Sequence, residues 1–174
     1  MPLRSLVDHL NNSNLLTEIV KRSKRPEKLT IQGISKSSRA LLVTSIAKAE
    51  NRLLLVIVPN LDEASKWLSL LQVYGWDKAL LYPSSEGSPY EYFDTTNEII
   101  WGQLQVISEL NNLNSDSKLA IVATERSLQP HLPPCGELLS KCIKYKVGDN
   151  KDLENEGILL TQLGYNKCNK VEQE

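Results

Sequence analysis

Leu53-Leu-Leu-Val-Ile-Val-Pro-Asn-Leu-Asp-Glu-Ala64 decides the fold class. Six consecutive Leu, Val and Ile residues, halted by Pro59, read as a strand buried on both faces rather than one with a wet side. Asn60, followed by Glu63 three residues on, is the pattern of a helix start in which the Asn side chain caps the first turn. Leu61, Ala64, Leu68 and Leu71 then share one face at helical spacing. An apolar strand passing straight into an amphipathic helix is half of a βαβ unit.

The same alternation extends in both directions. Upstream, Leu29–Gln32 is a short strand candidate, and residues 38–49 read as a helix with Leu42, Ile46 and Ala49 on one face. Downstream, Ala79–Tyr82 is a strand. Thr95 with Glu98 forms a second capping box, opening a helix with Ile100, Leu104, Ile107 and Leu110 in a stripe. Lys118–Thr124 is the fourth strand. The expected fold is therefore α/β, a mostly parallel sheet flanked by helices, with ligand-facing loops at the carboxyl ends of the strands, at 33–38, 59–60, 83–94 and 124–127. Residues 3–20 carry a helical pattern that Lys21-Arg-Ser-Lys-Arg25 and Pro26 close; a solvated helix end is the simplest reading of those cations. Three prolines in Gln129-Pro-His-Leu-Pro-Pro134 mark a boundary. Beyond it come a strand-like Cys142–Val147, a helix over roughly 151–163 and a segment from Gly164 that reads as the start of another strand. These last forty or so residues hold too little to close a core alone. The organisation read from the chain is an N-terminal helix (1–26), an α/β domain (27–128) and the beginning of a small α+β module (136–174).

Composition narrows the function. The chain has 174 residues, 41% hydrophobic and 24% charged, with net charge −1. That balance gives no global basic field of the kind that binds nucleic acid by charge alone. No apolar run approaches membrane-spanning length and the N-terminus has no signal-peptide pattern, so a cytoplasmic location is expected, with no membrane partner. Cys135, Cys142 and Cys168 are odd in number and form no C-x-x-C motif, and His9 and His131 lie far apart, so no metal site is expected.

Thr30-Ile-Gln-Gly-Ile-Ser-Lys-Ser-Ser-Arg-Ala40 has the layout of a phosphate-binding loop. Such a loop needs G-x-x-x-x-G-K-[ST]: glycines that let backbone N–H groups turn inward, a lysine for the β/γ-phosphates and a hydroxyl for Mg²⁺. Registered on Gly33, the second glycine falls on Ser38, the lysine on Arg39 and the hydroxyl on Ala40. Ser35, Lys36 and Ser37 fill the loop between. Arginine does not replace a compact lysine in a tight loop, so a degenerate loop is expected, without cofactor. It reads as a structural strand-to-helix turn, with weak anion binding by Lys36, Arg39 and the helix N-terminus as the alternative. Glu86, Glu91 and Asp94 share a loop without a nucleophile or histidine, so no catalytic residue is assigned. Tyr90, Tyr92 and Phe93 in that loop suit base stacking or partner contact, and equally suit plugging the domain's own flank.

Taken in order, these segments resemble a family. The Gly33 loop is followed by Leu81-Tyr-Pro-Ser-Ser-Glu-Gly-Ser-Pro-Tyr-Glu-Tyr-Phe-Asp94, Trp101-Gly-Gln-Leu-Gln-Val-Ile-Ser-Glu-Leu110, Ile121-Val-Ala-Thr124 and Tyr145-Lys-Val-Gly-Asp149 with Leu159-Leu-Thr-Gln-Leu-Gly-Tyr165. This series is similar to the N-terminal, UvrB-like region of bacterial transcription-repair coupling factors (Mfd), in a cyanobacterial flavour. The resemblance implies nucleotide excision repair, recruitment of UvrA by a UvrB-mimicking surface, and displacement of stalled RNA polymerase by an ATP- and Mg-dependent DNA translocase motor. That motor, with the polymerase and DNA contacts, belongs to parts of the family beyond this sequence, so the chain is expected to be a non-enzymatic fragment. By the same resemblance, the UvrA-contacting stretch matches Tyr165, Asn166 and Lys167; the family often has arginine where this chain has Asn166. The other readings are a small nucleotide-binding enzyme with an unusual loop, and a free-standing module binding protein or single-stranded nucleic acid through Tyr90, Tyr92 and Phe93.

Overall fold

The structure is a computed structural model that describes residues 3–26, 28–84, 97–114, 118–129, 142–163 and 165–168. The elements are α1 (Arg4–Asn11), α2 (Asn14–Ser23), α3 (Lys36–Ala49), β1 (Leu54–Val58), α4 (Leu61–Val73), β2 (Lys78–Tyr82), α5 (Asn97–Asn111), β3 (Leu119–Thr124), a 3-10 turn (Arg126–Leu128) and α6 (Leu153–Gln162). They form two compact units, residues 1–131 and 132–174.

The first unit is α/β, as its strand–helix alternation requires. All three strands are parallel, in the order β1-β3-β2. Val56, Val58, Ala120 and Val122 point to one face, where they pack with Ala64 and Leu71 of α4, with Ala47 of α3 and with Trp76. The opposite face carries Tyr82 and Ala123, which pack against Val106 of α5. Helices on both faces of a parallel sheet hide the apolar rows that alternate along each strand.

β1 departs from the expectation of a strand buried on both faces. Leu55 and Ile57, level with Ile121 and Ala123 in the β3 register, are each 54% exposed. β1 is an edge strand, and α5 sits over β2 and β3, so no helix among the described residues covers this row.

The strand expected at Leu29–Gln32 is also absent: those residues form no ladder, and Leu29 and Ile31 are partly exposed. β-prone side chains do not make a strand without a neighbour to take its N–H and C=O groups. The described sheet therefore has three strands rather than four.

Local signals at helix ends act as their chemistry dictates. Asn60 Oδ1 accepts from the Glu63 N–H at 2.9 Å. α4 ends at Gly75, whose φ of +87° is the left-handed conformation that glycine takes freely, and Trp76 N–H reaches back to Leu71 O at 3.0 Å. The Lys48 ammonium donates to Tyr74 O at 2.9 Å and Gly75 O at 3.2 Å, capping the same helix end. Burial, then the nearby Arg4 and Lys118, lowers the Lys48 pKa below its ordinary value.

The single helix read over residues 3–20 is two helices. Ser13 interrupts it, its Oγ accepting from Leu16 N–H at 3.2 Å to cap α2. Val7 of α1 is buried against Ala40 of α3 and against Tyr74, so the N-terminal helices belong to the first compact unit.

α5 turns only part of its expected stripe inward: Ile107 packs against the cluster of Tyr82, Val106 and Ala123. Ile100, Leu104 and Leu110 are all at least 39% exposed. The side facing the sheet carries Gly102, Gln103 and Val106. A Cβ on Gly102 would meet Pro83 Cγ at 2.7 Å, and Gln103 Nε2 donates to Pro83 O at 2.9 Å. Close approach at the glycine sets the rotation of the helix. Thr95, assigned as the cap, lies outside the described residues, while Glu98 stands in the first turn of α5.

In the second unit, the stretch Cys142–Lys146 forms no strand. Lys146 N–H instead donates to Asp149 Oδ2 at 3.1 Å in a turn that holds Gly148 at φ +95°. Asp152 caps α6 through Glu154 N–H at 3.1 Å, and Tyr165 N–H closes its C-terminus on Leu160 O at 3.1 Å. Residues 165–168 are likewise without a ladder, for want of a partner strand among the described residues.

Candidate functional site

The degenerate loop is built as a helix cap. α3 begins at Lys36, two residues earlier than its apolar pattern suggested, because Ser35 is extended and its Oγ accepts from Ser38 N–H at 3.2 Å. Arg39 N–H bonds to Ser35 O at 2.9 Å. Ser38 Oγ sits 2.9 Å from Ser35 Oγ. Only Ile34 and Ser35 separate Gly33 from the helix, so the inward-turned run of N–H groups that wraps a phosphate is replaced by the first helical turn. Gly33 itself has φ +77°, with open space where a Cβ would stand; it is required for backbone conformation and not for close packing.

The side chains are equally committed. Lys36 Nζ donates to Glu63 Oε1 at 2.7 Å, tying α3 to α4. Glu63 also meets Lys66 Nζ at 3.3 Å. The Lys36 hydrogen bond is the main cause holding the Glu63 carboxyl below its ordinary pKa. Arg39 Nε folds back on Ile34 O at 3.2 Å. Ala40, in register with the metal-binding hydroxyl of a working loop, is fully buried between Val7 and Tyr74. That position points into the protein core and not toward a ligand.

A polar cluster occupies the carboxyl end of β3. Ser84 Oγ and Thr124 Oγ1 are 3.0 Å apart. Ser127 N–H donates to Thr124 Oγ1 at 3.1 Å, and Ser127 Oγ donates to Thr124 O at 2.8 Å. Glu125 N–H closes on Val58 O at 3.1 Å, stitching the ends of β3 and β1. These hydroxyls satisfy one another and the backbone. Tyr90, Tyr92, Phe93 and the acidic residues of that loop lie outside the described residues, as do Cys135 and His131. Among the described residues no group of three His, Cys, Asp or Glu side chains could hold a metal, and no helix is long and apolar enough to cross a membrane.

In the second unit, Tyr165, Asn166 and Lys167 do come together with a surface that sequence patterning did not single out. They line an open, mostly apolar cleft of about 1070 Å³ with Leu153, Gly157 and Ile158 of α6. Leu153, Ile158 and Tyr165 are largely exposed. Across α6, Tyr145 Oη donates to Glu156 Oε2 at 2.8 Å, and Lys151 Nζ lies 3.3 Å from Glu156 Oε1 and 5.8 Å over the Tyr145 ring. The Glu156 hydrogen bond raises the Tyr145 pKa above its ordinary value. The signal for the cleft was in the sequence: Leu153, Ile158 and Leu160, which line it, are more apolar than a solvated helix needs.

No protein-family model matches the chain. Two curated proteins do. The chain is similar to transcription-repair-coupling factors. It is 28% identical to that of Bacillus subtilis strain 168 over 142 residues, 81% of this chain and 12% of that protein. It is 25% identical to that of Haemophilus influenzae over 132 residues, 76% of this chain and 11% of that protein. The chain therefore spans 11–12% of the length of the coupling factors it matches. Matches of that extent cover most of the α/β unit.

Proposed function

We propose that this chain is the N-terminal part of a transcription-repair coupling factor and serves there as a non-catalytic, UvrB-like domain followed by the first portion of a UvrA-recruiting module. The observation that carries the reading is the fate of the loop. The positions that matter most to a nucleotide in a working site carry other contacts here: Lys36 pairs with Glu63, the exposed Arg39 folds back on Ile34 O, and Ala40 is buried with Val7 and Tyr74. A domain that keeps the helix geometry of a nucleotide-binding ancestor and spends its ligand-facing positions on packing suits recruitment rather than hydrolysis. The similarity to two coupling factors supports the assignment. The apolar cleft at Tyr165 supports a docking role for the second unit, since an aromatic anchor beside exposed aliphatic side chains is what a protein partner buries. Polymerase displacement, DNA translocation and the attendant ATP and Mg²⁺ chemistry are assigned to other parts of the full-length protein.

The test is direct binding of the chain to purified UvrA by biolayer interferometry, with Tyr165→Ala and Lys167→Glu as variants. Binding that Tyr165→Ala weakens at least tenfold supports the reading. Absence of binding removes UvrA recruitment by this chain, and ATP hydrolysis abolished by Arg39→Ala would overturn the non-catalytic assignment as well.

A further inference from the structure

The cations that end α2 have a feature their sequence did not reveal. Residues 21–28 hold Lys21, Arg22, Lys24, Arg25 and Lys28 against one acid, Glu27, so this short stretch is strongly positive in a chain whose net charge is −1. The fold sorts these charges. Lys24 turns to Glu50 at 3.1 Å, a carboxylate that Arg52 also approaches at 3.8 Å. Arg22 is held by Glu18 at 2.6 Å, one helical turn back. Arg25 and Lys28 have no carboxylate within ion-pair distance among the described residues. Arg22, Arg25 and Lys28 line an open cleft of about 230 Å³ together with Leu29, and no carboxylate among the described residues lines it. Lys21 is exposed on the same last turn of α2.

We infer that this cleft, with Lys21 beside it, is a docking site for phosphodiester groups of a nucleic-acid backbone. Three cations converging on one concavity attract anions, and two of them, Arg25 and Lys28, have no carboxylate partner among the described residues. A single small anion is the poorer fit. The helix end here is the carbonyl end, whose partial negative charge opposes a compact anion, and the cationic groups are on long, exposed side chains rather than on converging backbone N–H groups. A polyanion laid across them meets several cations at once and gains from release of its condensed counterions. Guanidinium groups suit phosphate oxygens because their forked donors match them in pairs. No aromatic residue among the described ones lines the cleft, so the contact reads charge and not base sequence. This inference rests on the charge arrangement alone and stands apart from the coupling-factor reading.

The test is fluorescence anisotropy of a labelled duplex DNA titrated with the full chain at increasing salt. Wild type is expected to bind with a slope of log K against log salt of about −3, one unit per phosphate neutralised. Lys21→Ala/Arg25→Ala/Lys28→Ala is expected to weaken binding at least tenfold and flatten the slope. Lys78→Ala, which removes a cation paired with Glu109 elsewhere, should leave both unchanged. All four substituted positions are exposed, and circular dichroism confirms the fold; Arg25→Glu alone provides a second, milder variant with the same expected direction. No binding at low salt, or equal binding by the triple variant, overturns the inference. Competition by inorganic phosphate at concentrations that leave ionic strength unchanged would replace the nucleic-acid site with a small-anion site and overturn it too.

Discussion

Restoring the phosphate-loop sequence should fail to restore the site, because the fold around the loop no longer has room for it. The perturbation is Ser38→Gly/Arg39→Lys/Ala40→Thr, which rebuilds the Gly-Lys-Thr end of a working motif. Ala40 is fully buried between Val7 and Tyr74. Threonine adds two heavy atoms there, and overpacking of this kind costs about 1–3 kcal/mol. Glycine at 38 sits in the first turn of α3 and loses the Ser35 hydroxyl contact, at a cost of roughly 0.5–1 kcal/mol. Lysine at 39 loses the bond to Ile34 O, which is exposed and worth about 0.5 kcal/mol. The sum is on the order of 2–4 kcal/mol, which for a unit of this size lowers Tm by about 6–12 °C. Differential scanning fluorimetry reads the stability, and titration with a fluorescent ATP analogue in Mg²⁺ reads the site. The expected result is a destabilised variant without nucleotide affinity, since Ser35 still caps the helix two residues after Gly33. A variant that keeps its Tm and gains Mg²⁺-dependent binding would refute the reasoning.

Three further outcomes follow from the packing. Val56→Ala, on the covered face of β1, should cost about 1–3 kcal/mol in urea unfolding, and Leu55→Ala on the bare face no more than about 1 kcal/mol; equal costs would mean the bare row is covered in solution. Thr44→Val removes the buried acceptor of Trp76 Nε1–H at 3.0 Å and should cost about 1–3 kcal/mol, whereas Thr44→Ser should recover most of it; a neutral valine variant would show that the indole finds another partner. The Glu63 carboxyl is held below its ordinary pKa by Lys36. Its ion pairs therefore contribute stability above the unfolded glutamate value of about 4.3, lost as pH falls through the lower folded value. Glu63→Gln should flatten that part of the acid limb in pH-dependent thermal melts, and an unchanged limb would exclude the contribution.

How far the sequence reaches can be judged element by element. Local chemistry is legible wherever the deciding partners are close in the chain. Asn60 caps α4 through a residue three positions away. The apolar runs at 54–58, 78–82 and 119–124 become parallel strands because each is followed or preceded by an amphipathic helix long enough to cross over. The α/β class and the helix near 151–163 both come from that level. The departure of Ser38, Arg39 and Ala40 from the phosphate-loop pattern is legible in the sequence too.

What the sequence could not determine is which apolar faces find cover. Leu29 and Ile31 have the composition of a strand, but backbone hydrogen bonding needs a neighbour and none lies beside them among the described residues. Leu55 and Ile57 are as apolar as Val56 and Val58, yet their exposure follows from β1 standing at the sheet edge with α5 displaced toward β2. Ile100, Leu104, Ile107 and Leu110 share helical spacing, yet Ile107 packs inward while the other three stay exposed, because Gly102 lets the neighbouring side of α5 close on Pro83. Tertiary structure also decided that Ala40 points into the core, that Lys36 belongs to Glu63, and that Lys24 pairs with Glu50 while Arg25 and Lys28 meet no carboxylate among the described residues. Periodicity reports which side chains can share a face; only the position of the neighbouring elements selects the face that water leaves.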